Sequence, residues 1–130
     1  GKAVDKIAGV SLRPPTLATL AILQKCRNAL LSGQVVAEED VMMHVLVFMY
    51  VHSAPMDEVH GASIIQQGSG MNLALERKAL ELGENMPYRS SEEFVKLYED
   101  LLAWLAHHMD LRVEPIPDES NKGKPPNPNE

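Results

Sequence analysis

Residues 41 to 51 read Val-Met-Met-His-Val-Leu-Val-Phe-Met-Tyr-Val, and this stretch decides how the 130-residue chain folds. Every residue in it except His44 is apolar, and a short apolar run does not distinguish a buried helix from a buried strand by periodicity. Its valines and aromatic residues favour a strand. Three acidic residues precede it at positions 38 to 40, where they suit the positive end of a helix dipole. The acidic start and the length therefore predict a buried helix that begins at Ala37 or Glu38 and ends at Ser53-Ala54-Pro55.

A helix is also predicted on the amino-terminal side of this run. Pro14-Pro15 excludes a helix that passes through it, so the helix begins at Thr16 or takes Pro15 as its first residue. Gly33 suits the left-handed conformation that commonly ends a helix. Residues 1 to 15 are predicted to form an irregular arm.

Two weaker helices are predicted after the apolar run. Residues 56 to 67 favour a helix that Gly61 weakens, and Gly68-Ser69-Gly70 interrupts the chain. Residues 71 to 82 resume as a helix that Gly83 ends. The leucines of this second helix fall on two opposite sides, which indicates that it packs against two neighbours.

The last helix has the clearest start signal. Ser90-Ser91-Glu92-Glu93 is a capping box, in which Ser90 caps the helix and the Glu93 side chain is able to bond back. The helix is predicted from Ser91 to Asp110, with an apolar stripe made by Phe94, Leu97, Tyr98, Leu101 and Leu105. Residues 113 to 130 contain five prolines and almost no apolar side chains, so they predict a disordered tail.

Together these segments predict an all-α protein with a single compact domain of four to five helices over residues 16 to 112. Acidic residues number 18 against 12 Lys and Arg, for a net charge of -6, which argues against nucleic acid as a partner. The longest apolar run falls far short of the ~20 residues that span a membrane. The single cysteine, Cys26, excludes an internal disulfide framework. We therefore expect a soluble protein with no nucleic-acid and no membrane partner.

The histidines and carboxylates do not form a recognisable catalytic motif. His44 and His52 lie about 80° apart around a helix, too far for an i,i+4 pair of metal ligands. Each is expected to bond a backbone or side-chain partner within the fold. We therefore predict no catalytic residue, no cofactor and no metal, and a protein that is not an enzyme. The enzyme alternative is a metal hydrolase built on His44, His52 and Asp57.

Methionine-rich apolar surface is the feature that remains unexplained. The chain has seven methionines, and methionine both fills irregular gaps in cores and suits surfaces that accept varied apolar partners. The buried helix is apolar on every side, and the helix at 71 to 82 has two apolar sides. We therefore predict more apolar helix surface than a chain of this size buries by itself, and hence self-association, partner binding or both. The predicted interface residues are Met42, Met43, Val47, Met49, Tyr50, Leu73, Leu80 and Trp104.

One segment of the sequence resembles a known family. It reads Leu12-Arg13-Pro14-Pro15-Thr16-Leu17-Ala18-Thr19-Leu20-Ala21-Ile22-Leu23, and Leu30-Leu31-Ser32-Gly33 follows it. Residues 13 to 23 match an R-P-x-T-L-x-x-L-x-x-L entry into an all-helical domain. This segment resembles the opening of the tail assembly chaperones of long-tailed bacteriophages, over residues 12 to 33.

The resemblance implies a non-enzymatic protein that acts in the cytoplasm of the infected host. Such chaperones coat the long, apolar, helical tape measure protein before the tail tube subunits polymerise around it, and then leave. The expected partners are therefore further copies of this chain, the tape measure protein and the tail tube protein. A longer form made by ribosomal frameshifting is a further implication, to which the tail from Val113 would be a linker. The alternative function is a structural head–tail or tail component that stays in the virion.

Overall fold

A computed structural model of the chain describes residues 5 to 33, 36 to 63 and 73 to 109. Within these ranges the chain forms six helices and one β-hairpin. The predicted all-α class is confirmed, and the hairpin is a small addition to it. The predicted break at Gly68-Ser69-Gly70 and the predicted tail at 113 to 130 lie outside the described residues. The elements are β1 (Asp5–Ile7), β2 (Val10–Leu12), α1 (Leu17–Lys25), α2 (Ala29–Ser32), α3 (Glu38–Ser53), α4 (Met56–Ala62), α5 (Leu73–Gly83) and α6 (Ser91–His108).

Helix α3 is the centre of the fold, as the apolar run predicts. It packs against β2, α1, α2, α4 and α5. Its side chains from Val47 to Val51 are all buried by the chain itself, because these neighbours surround it. For these residues, which include the predicted interface residues Val47, Met49 and Tyr50, the chain itself provides the cover, whereas Met42 on the same helix stays exposed.

The hairpin corrects the expectation of an irregular arm. β1 and β2 pair antiparallel, with Asp5 opposite Leu12 and Ile7 opposite Val10. The two residues between them, Ala8 and Gly9, have φ angles of 53° and 79°, which is the backbone of a tight hairpin turn with two left-handed residues. Alanine rarely occupies that conformation, so the sequence carries only half of the usual turn signal.

A kink divides the predicted helix at 16 to 33 into α1 and α2, which is a second correction. Arg27 has a φ of 57°, and Asn28 then caps α2, with its side-chain oxygen accepting from the Leu30 N–H at 3.1 Å. The Asn28 amide also donates to the His44 carbonyl at 2.9 Å. This contact with α3 favours the break over a continuous helix. The predicted end at Gly33 is confirmed, with a φ of 72°.

The last helix begins where it is predicted to begin. Ser90 Oγ accepts from the Glu93 N–H at 3.1 Å, which confirms the cap, while the Glu93 carboxylate lies 3.6 Å from Arg89. α6 then packs onto the core through Leu101, Trp104 and Leu105. The first half of α6 packs against the core less completely, through the partly buried Phe94, Leu97 and Tyr98, and it borders an open space next to α3.

Candidate functional site: an apolar cleft

An open cleft of about 660 Å³ lies between the first half of α6 and the first half of α3. The hairpin and the connection from α5 to α6 also contribute to its lining. A volume of this order is typical of binding sites in proteins. Its apolar lining residues include Ile7, Met42, Val45, Leu46, Met86, Phe94 and Leu97.

The helical repeat places these apolar side chains on facing surfaces. Met42, Val45 and Leu46 have the i, i+3, i+4 spacing that puts three side chains on one face of α3. Phe94 and Leu97 are likewise one turn apart on α6. The cleft therefore has two apolar helical walls, one on each side.

Gly83 fixes the position of one of these walls. It ends α5, and a Cβ atom at this position would lie only 2.8 Å from Cδ1 of Leu46. The end of α5 therefore approaches α3 so closely that a side chain at position 83 would require Leu46 to shift. Gly83 and Leu46 both line the cleft, so this contact forms part of its wall.

The hairpin is attached to α6 by a hydrogen bond between two side chains. Asp5 Oδ2 lies 2.7 Å from Nε2 of His108, at the end of α6 far from the cleft. The hydrogen bond from His108 holds the pKa of Asp5 below its usual value, and partial burial opposes this effect. The buried indole N–H of Trp104 also lowers the pKa of Asp5, although the distance and angle between them do not meet the criteria for a hydrogen bond. Asp5 therefore links the hairpin to α6 while it is ionised.

Four charged residues on α6 and just before it also line the cleft. On α6, Lys96 lies 2.9 Å from Asp100, and Arg89 just before the helix lies 3.6 Å from Glu93. Both cations are thus paired locally with a carboxylate four residues later. On α3, three exposed acidic residues, Glu38 to Asp40, form the first turn before Met42.

The two core histidines bond within the fold, as predicted. His44 Nδ1 accepts from the Ala29 N–H at 3.0 Å, and His52 Nδ1 lies 3.0 Å from the Phe48 carbonyl. Burial lowers the pKa of His52 to about 4, so this imidazole is neutral at pH 7. Among the described residues, no group of three His, Cys, Asp or Glu side chains is arranged to hold a metal ion.

The predicted interface residues fall into two sets. Val47, Met49, Tyr50 and Trp104 are buried in the core of the chain itself, where they have no surface to offer, and the Tyr50 hydroxyl donates to Glu58 at 2.8 Å. Met43 is half-buried, whereas Met42, Leu73 and Leu80 are exposed. Of the eight, only Met42 lines the cleft.

Sequence reasoning missed most of the cleft. Phe94 and Leu97 belong to the predicted apolar stripe, but the stripe alone does not show which of its side chains the core leaves only partly buried. Ile7 and Met86 come from segments in which no periodic pattern marks the side that faces inward. Ile7 and Met86 line the cleft only because of the way the hairpin and the α5–α6 connection pack against the helices.

Comparisons of the chain with family models, with curated proteins and with solved structures find no match. Among the helices that the structure describes, none has the length and hydropathy that crossing a bilayer requires. The cleft combines an apolar lining with four charged residues, Arg89, Glu93, Lys96 and Asp100. Such a surface suits the binding of apolar side chains from another molecule.

Proposed function

We propose that the chain is a non-enzymatic tail assembly chaperone, which self-associates and shields the apolar helical tape measure protein in the host cytoplasm before the tail tube polymerises. The resemblance of residues 12 to 33 suggests the family. The observation that carries the proposal is the apolar cleft, where Met42 is exposed and Leu46, Phe94 and Leu97 are only half-buried although the core beside them is closed.

The form of the cleft suits a helix as its occupant. A groove between two apolar helical walls accepts an amphipathic helix, which anchors side chains one turn apart in it. Met42 and Met86 lie in this lining, and methionine adapts its shape to different apolar side chains. A chaperone that covers a long client needs this tolerance, because successive turns of the client present different residues.

Self-association is assigned to apolar residues outside the cleft. Leu73 and Leu80 on α5 are exposed, and so are Val95 and Leu102 on α6. Each pair has the i, i+7 spacing that aligns two side chains along one face of a helix. Several copies joined through these faces would hold several clefts along one client, which raises the overall affinity without any new contact.

Co-expression with the tape measure protein tests the cleft. Met42→Glu places a charge at the mouth of the cleft, at a side chain that is 45% exposed, so the fold tolerates it. Leu17→Glu is the matched control, because Leu17 is 88% exposed and lies outside the cleft. We expect the natural chain and the control to keep the tape measure protein soluble, and Met42→Glu to lose most of that effect.

Two results would overturn the proposal. One is a tape measure protein that stays equally insoluble with and without the natural chain. The other is recovery of the chain from purified virions in the copy number of a tail component, by quantitative mass spectrometry. That second result would favour the structural alternative, because a chaperone leaves before the particle is complete.

A further inference from the structure

We propose that copies of this chain assemble through two different faces, with the outer face of α5 in one copy packed against the outer face of α6 in the next. This inference rests on the proposed function, because it specifies the contact through which the chaperone self-associates. None of the residues that form the two faces lines the cleft, so the cleft stays free for the client.

The outer face of α5 consists of three exposed side chains, Leu73, Arg77 and Leu80. Their i, i+4, i+7 spacing aligns them along one side of the helix, while the buried Leu75 and Ala79 lie on the other side and belong to the core. This face therefore presents two leucines to solvent, with one positive charge between them.

The outer face of α6 repeats this pattern with the opposite charge. Val95, Glu99 and Leu102 are exposed and have the same i, i+4, i+7 spacing, whereas Leu101 and Leu105 are buried in the core. Because the spacing is the same on both helices, the two faces match apolar side chains at both ends and opposite charges in the middle. Both faces are exposed within one chain, so a second copy is needed to bring them together.

The charge at the centre of each face is available to another copy. Within the ranges 5 to 33, 36 to 63 and 73 to 109, neither Arg77 nor Glu99 forms an ion pair. Glu81, four residues after Arg77, instead lies 3.8 Å from Lys78. Lys96, three residues before Glu99, bonds a different carboxylate at 2.9 Å. Both unpaired charges lie in the middle of their helices, where the helix dipole does not account for them.

The two charges also determine which faces can pair. Packing of α5 on α5 of a second copy would place Arg77 beside Arg77, and packing of α6 on α6 would place Glu99 beside Glu99. Like charges across an interface oppose association, whereas α5 on α6 pairs opposite charges. Since the contacting faces differ, each added copy leaves one face of each kind unoccupied, and assembly continues until a ring closes or a filament grows. Such an assembly would place several clefts along one client.

Charge reversal tests the pairing of Arg77 with Glu99. Arg77→Glu and Glu99→Arg each replace an attraction by a repulsion, so each should raise the concentration for half-association by about tenfold at low salt, measured by sedimentation velocity. The double variant restores opposite charges and should associate within about twofold of the natural chain. The control, Lys6→Glu, changes an exposed cation of the hairpin by the same charge as Arg77→Glu and should leave association unchanged.

A mixture of two apolar-face variants tests the order of the faces. Leu80→Glu blocks the α5 face and Leu102→Glu blocks the α6 face, so each variant alone should be mostly monomeric. Their equimolar mixture retains one intact face of each kind and should form a dimer with one copy of each variant, and no larger species. Circular dichroism checks that both variants keep the helix content of the natural chain. An interface between two α6 faces would instead leave Leu80→Glu associated.

The possible failures are distinguishable. The inference is overturned if either charge variant associates like the natural chain, if the double variant does not recover, or if the folded leucine variants stay monomeric in the mixture. Equal weakening by the control Lys6→Glu would show a general effect of net charge and would overturn it too. None of these results affects the test of the cleft with the tape measure protein. A natural chain that is monomeric at every concentration would overturn the inference together with the self-association in the proposed function.

Discussion

His52 shows how one buried side chain joins two helices. Its Nδ1 atom donates to the Phe48 carbonyl, so Nε2 of the neutral ring is the acceptor for the Thr19 hydroxyl at 3.2 Å. Thr19 also completes a capping box with Thr16 at the start of α1. One hydroxyl therefore serves both the cap of α1 and the contact between α1 and α3, and the ring must remain uncharged for this arrangement.

The stability of the chain should depend on pH through His52. Its pKa is lowered by burial from 6.5 to about 4, so between these values the unfolded chain binds a proton that the folded chain does not. The free energy of unfolding should therefore fall as the pH drops through this window, by on the order of 3 kcal/mol. Urea unfolding at a series of pH values measures it, and His52→Phe should flatten the curve. Asp5, whose pKa is held below 3.8, changes the free energy of unfolding only at lower pH. If the free energy of unfolding of His52→Phe depends on pH as steeply as that of the natural chain, the assignment to His52 is wrong.

Gly83→Ala should narrow the cleft without unfolding the chain. The new Cβ would lie 2.8 Å from Cδ1 of Leu46, which must shift to make room, and both residues line the cleft. Alanine stabilises a helix over glycine by up to about 1 kcal/mol, and this gain offsets the cost of moving Leu46. We expect a nearly unchanged melting temperature and several-fold weaker binding of an amphipathic helical peptide. Gly61→Ala is the control, since nothing lies within 4 Å of its Cβ position, and equal binding by both variants would contradict the role of Gly83.

A side-chain contact between Asp5 and His108 joins β1 to α6, whereas β2 packs on α3. Asp5→Asn removes the charge that faces His108 across 2.7 Å, so β1 should separate more readily from α6. Hydrogen exchange should become faster for the hairpin amides and stay unchanged in α3. Binding of peptides to the cleft should weaken because Ile7 forms part of its wall. The control is Asp57→Asn, at an exposed residue outside the hairpin, which should change neither the hydrogen exchange nor the peptide binding. If the hairpin amides of Asp5→Asn exchange as slowly as those of the natural chain, the link between Asp5 and α6 is refuted.

Helices marked by the spacing of apolar residues and by local start signals could be predicted from the sequence. Features fixed by contacts between residues far apart in the sequence could not. The acidic turn before the apolar run located α3, and the Ser90 cap located α6. The kink at Arg27 and the turn at Ala8 both use left-handed backbone at residues other than glycine. Each is maintained by packing against other elements, which local propensity does not contain. The same reason explains why Met42 was predicted in the site whereas Ile7 and Met86 were not.

The whole molecule carries less surplus apolar surface than its composition suggests. From Val47 to Val51, helix α3 is enclosed by its neighbours, and Tyr50, Glu58 and Lys78 connect α3, α4 and α5 through contacts of 2.8 and 3.7 Å. Among the described residues, the large apolar side chains that stay exposed include Met42 at the cleft, Leu73 and Leu80 on α5, Val95 and Leu102 on α6, and Leu17 on α1. In the proposed function, client binding and self-association therefore use different surfaces.

Self-association should therefore be separable from client binding. Leu102→Glu changes a side chain on the outer face of α6 that is not part of the cleft. Sedimentation velocity over a range of concentrations should show oligomers of the natural chain and mostly monomers of this variant, while each monomer still binds an amphipathic helical peptide in the cleft. Leu17→Glu serves again as the control and should still form oligomers. Sedimentation of the natural chain as a monomer at every concentration would refute self-association.

The position of Trp104 has a practical consequence. It is the only tryptophan of the chain, and its ring centroid lies 5.8 Å from that of Phe48, 5.1 Å from that of His52 and 4.9 Å from that of His108. The indole thus stands where the central helix, the last helix and the hairpin attachment meet. Its intrinsic fluorescence therefore reports changes in the packing of that junction without an added label. The signal is specific, also in stopped-flow experiments, wherever the other proteins present lack tryptophan.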